Sequence, residues 1–351
     1  EDVYGESIGV DFTGMSDYEI RIKKASLRYG EWMRQALNAL EAHGVYNVKY
    51  LLAFTEPSYA TADKPEGEYA DEWITMTTGL HNALVRGGIR EKYQIVGPNQ
   101  GSVQTGEGLL RYYLEYLESH PEAANMVDIL SSHMYANSNT VSITDSAFFH
   151  DKAENAFSSY REVLNRYASG QNKEFWADEF FAYSNVDAIW KDGNGIQLTQ
   201  LAAGLTAAMD QGINRILSWQ IFDQLWVNQT NTGGEFVSGV HACGTAPSFI
   251  PYGDYTPYAG EVPRIPYYGL NLLGKYLGSK NGTVYRCATD AGDGLYAATV
   301  HRDDGRTVIL VVNTTDQPTN VSYQLELALN SRLTRYLYDP TAITPTAEAV
   351  S

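Results

Sequence analysis

Apolar positions in this chain alternate between two rhythms. Residues 16–43 place Ile20, Leu27, Ala36, Leu37 and Leu40 at helical spacing. Ser16 and Asp17 can cap the first turn of that pattern, and Gly44 stops it. A short continuous apolar run follows at 48–54, then a helical pattern at 69–86. The pair of signals recurs: runs at 93–96, 126–131, 174–178 and 215–219 alternate with helical patterns at 107–119, 153–167 and 195–211. Short runs of this kind read as buried strands. Strands separated by helices of about ten or more residues predict βαβ units and a parallel sheet. Five such strands are legible, and residues 7–12 offer one more.

About 45 residues rich in Gly, Pro, Asn and aromatics follow position 219, a length that usually marks a functional loop. A helix expected at 267–277 closes the alternation. From position 283 the rhythm changes to short alternating strands at 284–288, 296–301, 308–313, 321–325 and 333–338. Turn residues such as Asp303-Asp304-Gly305 separate them, which predicts an antiparallel β domain. The expected division is an α/β domain over 1–280 and a β domain over 281–351.

Composition narrows the function more than the fold. A chain of 351 residues that is 44% hydrophobic can bury one or two cores. No apolar stretch approaches the roughly 20 residues of a membrane span. A net charge of −17 argues against nucleic acid, whose phosphates need a basic surface. The 26 tyrosines, 11 phenylalanines and 6 tryptophans suit surfaces that bind the apolar faces of sugars, although most must pack in the core. The seven histidines are scattered without a metal-binding spacing, and no phosphate loop or dinucleotide fingerprint is present, so neither metal nor cofactor is expected. Cys243 and Cys287 are too few for a disulfide framework, and their pairing stays open. The sequons at Asn228, Asn281, Asn313 and Asn320 would carry glycans only in a eukaryotic secretory route. An acidic, cysteine-poor chain that begins at Glu1 fits a processed, secreted or periplasmic protein.

Two apolar runs end on an acid: YLLAFTEP on Glu56 and EFWADEFF on Glu179. A carboxylate at the carboxyl end of a parallel strand stands where α/β barrels hold their chemistry. Either acid alone could simply cap a strand. Together they are the minimum apparatus for breaking a glycosidic bond, one protonating the leaving oxygen and the other attacking or activating water.

Glu-Pro at the end of one strand and a second glutamate three strands later resemble the retaining glycoside hydrolases of clan A. His133 and Tyr135 in a His-x-Tyr strand end, and Trp219 ending the fifth run, agree with that pattern. The β domain resembles the C-terminal β-sandwich of the β-xylosidase and α-iduronidase type of family. The resemblance implies a (β/α)8 TIM barrel, with Glu56 as acid/base on its fourth strand and Glu179 as nucleophile on its seventh. It also implies an oligosaccharide or polysaccharide substrate, with Trp219 as the floor under the reacting sugar. His133 and Tyr135 would bind hydroxyls or orient Glu179. Asn99 is either a sugar ligand or a turn residue after Gly97-Pro98, and Trp226 in the long loop, with Phe236, Tyr252, Tyr255 and Tyr258, could build further subsites.

Two departures qualify the likeness. Thr55 stands where the clan usually has asparagine, so the sugar 2-hydroxyl meets a shorter group with one donor. Only 47 residues precede the run taken as the fourth strand, too few for three βα units of roughly 30 residues each. The first strands of the barrel are therefore expected from an upstream segment or a partner chain, as is a further strand of the sandwich beyond Asp339-Pro340. The alternative is a non-catalytic carbohydrate-binding protein on a degenerate barrel, which Thr55 and the missing strands favour and the two glutamates oppose.

Overall fold

A computed structural model describes residues 9–57, 66–101, 107–135, 146–181, 196–218, 224–228, 237–241, 265–287, 294–315, 317–322, 332–338 and 346–350. The chain folds as two compact units. The first comprises Glu1–Met134, Ala156–Glu179 and Ile213–Leu217; the second comprises Tyr135–Asn155, Phe180–Gly212 and Ser218–Ser351.

The α/β alternation is observed. Helix α1 (Asp17–Ala42) starts at a capping box, Ser16 accepting from the Glu19 N–H while Glu19 accepts from the Ser16 N–H. Then follow β1 (Tyr50–Leu52), α2 (Glu66–Arg86), β2 (Gln94–Gln100), α3 (Leu109–Ser119), β3 (Ile129–Tyr135), α4 (Ser146–Arg166), β4 (Glu174–Phe181), α5 (Ile196–Asp210) and β5 (Arg215–Ser218). The strands form one five-stranded sheet in sequential order, β1-β2-β3-β4-β5. β1 runs parallel to β2, with Tyr50, Leu51 and Leu52 opposite Gln94, Ile95 and Val96. The sheet is open, with β1 and β5 at its edges, and no closed barrel forms among the described residues. Of the extra strand expected at 7–12, the described part, 9–12, is turn and coil.

β2 is longer than its apolar run suggests. Gly97-Pro98 reads as a turn, yet the strand continues to Gln100 through a register slip against β3 between Gly97 and Gln100. An irregularity of that kind frees proline from the hydrogen-bond ladder and re-aims the side chains within it. Asn99 stands in the slip with φ +52°.

In the first unit, Val96, Ile129 and Trp176 form a core cluster with Tyr50 packed against it. The Arg215 guanidinium lies over the rings of Trp176 and Tyr50, 5.1 and 5.8 Å from their centroids. Helices α1 and α2 cross where both have lost their side chains. A Cβ at Gly30 would fall 2.3 Å from the Gly79 carbonyl oxygen, and one at Gly79 would fall 2.4 Å from that of Ser26.

The second unit holds the antiparallel strands β8 (Gly282–Arg286), β9 (Leu295–Arg302) and β10 (Thr307–Asn313), in sheet order β10-β9-β8. Helix α5 packs its small residues on this sheet. Ala202 and Ala203 cluster with Val312, and Met209 with Ala298 and Val300. Alternation in β9 and β10 thus serves one covered face, as period two predicts. The long loop contains a hairpin, β6 (Gln224–Asn228) with β7 (Val237–His241), that its composition did not suggest. Helix α6 (Ile265–Leu273) continues into a π turn at Gly274–Gly278. β11 (Leu333–Leu337) pairs with β12 (Thr346–Val350), so a strand does follow Asp339-Pro340. Of the strand expected at 321–325, residues 321 and 322 are coil and the rest lie outside the described residues. Cys287 Sγ rests 3.0 Å from Thr299 Oγ1; Cys243 lies outside the described residues.

Candidate active site

The carboxyl ends of the parallel strands converge on one cluster. β1 stops at Leu52, and four residues later the backbone turns at Glu56 with φ +48°. That region is uncommon for any residue but glycine and costs roughly 1–3 kcal/mol, so the surroundings must hold it. Asn99 holds it twice. The Glu56 N–H donates to the Asn99 carbonyl oxygen at 3.2 Å and to Asn99 Oδ1 at 3.1 Å. Helix α1 braces the same segment from its other side, since Tyr29 Oη donates to the Ala53 carbonyl at 2.5 Å and its ring packs 4.6 Å from that of Phe54.

His133 on β3 lies between the glutamates. Its Nδ1 is 2.9 Å from Glu56 Oε1 and 3.2 Å from Glu179 Oε2. One oxygen of each glutamate and a ring nitrogen of His133 all lie within 4.8 Å of one another. The His133 side chain is fully buried, whereas Glu56 keeps 32% and Glu179 15% of their side-chain surface exposed. The cluster is therefore closed below and reachable from the carboxylate side.

Burial decides the protonation states. It holds the His133 imidazole down at about 4, so the ring is neutral at physiological pH. A neutral ring has one N–H, and two carboxylate oxygens converging on Nδ1 place the hydrogen there. Burial raises the Glu56 carboxyl above its ordinary value.

A second layer lies beneath. Asp178 is buried, and its Oδ2 accepts a short hydrogen bond from Asn99 Nδ2. Ser131 also hydrogen-bonds to it, but burial dominates and pushes its carboxyl up to about 6. Asp178 Oδ1 stands 3.9 Å from His133 Nε2, beyond a direct hydrogen bond. Ser131 Oγ accepts from the Asn99 N–H at 3.2 Å, and Ser132 Oγ donates to Tyr160 Oη at 2.9 Å.

Of the residues expected in the site, Glu56, Glu179, His133 and Asn99 come together. Thr55 is exposed beside Glu56, and Tyr135 is buried at the end of β3. Trp219, Phe236, Tyr252, Tyr255 and Tyr258 lie outside the described residues, and Trp226 lies in β6 with its side chain outside the description. Asn99 is only 1% exposed, with both atoms of its amide engaged. Strand alternation already turns Asp178 away from Glu179, toward a hydrogen bond behind the site or the helix layer; sequence reasoning missed Tyr29 on α1, Ser131 on β3 and the bond that joins Asn99 to Asp178. Among the described residues, three ligand-type side chains also meet in two places, Glu56 with His133 and Glu179, and His150 with Asp151 and Glu154 on α4. Spacing along the chain hides the first of these groups.

Several solved structures resemble the chain. A GH51 arabinofuranosidase from Xanthomonas axonopodis pv. citri is 12% identical at TM-score 0.53, over 87% of this chain and 63% of that one. An α-L-arabinofuranosidase from Thermotoga maritima, solved with arabinose, is 14% identical at TM-score 0.54, over 99% of this chain and 73% of that one. A glucosidase from Croceicoccus marinus is 17% identical at TM-score 0.46, over 74% of this chain. The chain spans 46% of that glucosidase and 63% of the Xanthomonas enzyme, less than two thirds of either. All three neighbours are glycoside hydrolases, and at these identities the likeness is one of fold. No protein-family model matches the chain, and no curated protein matches it by sequence.

Proposed function

We propose that the chain carries the catalytic pair of a retaining O-glycosidase acting on an oligosaccharide or polysaccharide, with Glu179 as nucleophile and Glu56 as acid/base. The observation that carries this reading is the approach of one oxygen of each carboxylate within 4.8 Å, Glu56 just beyond β1 and Glu179 near the end of β4. Covalent double displacement needs carboxyls about 5–5.5 Å apart, and inversion needs about 6.5–9.5 Å to seat a water between them. Glu179 attacks the anomeric carbon as Glu56 protonates the departing oxygen; Glu56 then takes a proton from the water that releases the sugar. The raised Glu56 carboxyl suits the donor, because burial keeps the proton on until the leaving oxygen needs it. His133, neutral and donating from Nδ1, holds both carboxylates without adding a competing positive charge.

The arabinofuranosidases among the structural neighbours make aryl arabinofuranosides the first substrates to test, followed by aryl xylosides and glucosides. Turnover followed by NMR is expected to show the first-formed product with the substrate's anomeric configuration. Inverted product would reject double displacement. Binding of oligosaccharides without turnover would favour the non-catalytic reading that Thr55 supports. Further strands, from an upstream segment or a partner chain, would close the sheet across β1 and β5. Action outside the cell is part of the same proposal; no described helix is long and apolar enough to cross a membrane.

A further inference from the structure

A continuous buried path joins the segments that carry the two glutamates. From Glu56 it runs N–H to Asn99 Oδ1, through the amide to Nδ2–H, and on to Asp178 Oδ2. Asp178 is the immediate neighbour of Glu179 on β4. The path is braced at both residues by Ser131, which accepts from the Asn99 N–H and hydrogen-bonds to Asp178. Asn99 is 1% exposed and Asp178 5%, so both belong beneath the site. The register slip in β2 and the φ of +52° at Asn99 aim the amide at both ends of the path.

We propose that Asn99 and Asp178 are positioning residues that act as one strut, setting where the Glu56 carboxyl stands relative to Glu179. This deepens the glycosidase reading and rests on it. Glu56 has a left-handed backbone that it would leave if its N–H were released, and its carboxyl would swing with it. A misplacement of about 1 Å far from the reacting atoms can cost on the order of 100-fold in rate. The strut gives an amide a task that neither a carboxylate nor a hydrocarbon can do, because one end must accept a hydrogen bond while the other donates.

That asymmetry supplies the test. N99D keeps the acceptor for the Glu56 N–H but exchanges the donor for an acid. Ionised, the introduced carboxyl opposes the buried Asp178 carboxylate and the strut breaks. Protonated, its O–H donates to Asp178 Oδ2 and the strut re-forms, the two acids sharing one proton. The titratable groups around the strut are Glu56, Asp178, Glu179, His133 and, from α4, Tyr160. All five are present in wild type too, so the ratio of variant to wild-type kcat isolates the new acid.

With the full-length protein and aryl glycosides of graded leaving-group pKa, N99A is expected to lose about 10- to 100-fold in kcat, with KM little changed. The loss should grow as the leaving group worsens, because the misplaced group is the acid. For N99D the kcat ratio should climb toward wild type as the pH falls, by up to tenfold per unit, while N99A stays flat. D178N, which retains an acceptor for Asn99 Nδ2, should recover most of what D178A loses. If N99A fails to fold, the pH-dependent recovery of N99D alone decides. A flat N99D ratio, or losses independent of leaving group, in an active enzyme would overturn the strut and leave the glycosidase reading standing. A wild type that turns over no glycoside would overturn both.

Discussion

At the residue scale, Glu56 and Glu179 have the same chemistry but different supports, and the roles proposed for them separate on substitution. Glu179→Ala is expected to abolish turnover of every substrate, since the proposal leaves attack on the anomeric carbon to this carboxylate alone. Glu56→Ala should spare the first step for aryl glycosides with good leaving groups, which need little protonation, and slow the second. Added azide should then restore rate and yield a glycosyl azide, detectable by mass spectrometry. Equal behaviour of the two variants on activated substrates would reverse or void the assignment. The residues beneath them make a prediction about stability. His133 titrates at about 4 in the fold against 6.5 ordinarily, so between these values the unfolded chain takes up a proton the folded one refuses, and stability falls as pH is lowered. Asp178 titrates at about 6 against 3.8, so over its window the folded chain takes up the proton and stability rises as pH is lowered. Each contribution is on the order of 3 kcal/mol, and they oppose each other. Relative to wild type, H133Q should gain stability on acidification from pH 6.5 to 4. D178N should lose whatever advantage it has at pH 7. Urea midpoints across that range measure both.

At the element scale, the approach of α1 to α2 depends on what is missing from their surfaces. Alanine ordinarily favours a helix over glycine by up to about 1 kcal/mol. At Gly30 and Gly79 the sign should reverse, because the added methyl meets backbone oxygen at 2.3–2.4 Å and backbone cannot step aside without separating the helices. Gly79→Ala is expected to destabilise by about 1–3 kcal/mol, read as a lower urea midpoint. A neutral or stabilising result would mean that the helices can part freely. The consequence for function runs through Tyr29, which α1 carries to the Ala53 carbonyl three residues before Glu56. A displaced α1 therefore also loosens the approach to the acid.

At the scale of the whole molecule, the open sheet sets the main expectation. Leu52 on β1 and Leu217 on β5 are 39% and 42% exposed, and no described strand pairs with the outer edge of either. Edges of this kind invite pairing with other chains. The 351-residue chain by itself should therefore associate with rising concentration, and the amides of β1 and β5 that face away from the sheet should gain protection from hydrogen exchange on association. Light scattering with hydrogen exchange would check this, and a stable monomer whose outward-facing β1 and β5 amides are long-lived would contradict it. The net charge of −17 slows association at low salt, so the effect should strengthen as salt screens it.

The order of strands and helices was legible in the sequence because a parallel sheet buried on both faces writes itself as short apolar runs between amphipathic helices. The start of α1 was legible too, since a capping box is a local pattern. So were Glu56 and Glu179 as candidates, because an acid ending an apolar run is conspicuous. The hairpin β6–β7 and the extension of β2 through Gly97-Pro98 were not, since their local signals read as turn and only cross-strand pairing overrides them. The rest of the site was beyond any local reading. That His133 stands between the glutamates and that Asn99 faces two partners at once depend on four strand ends meeting across 43 to 79 positions of chain. Protonation followed the same division. The residue types set the ordinary values, but the displacement of His133 downward and of Asp178 upward comes from loss of water, and only the packed tertiary structure excludes it.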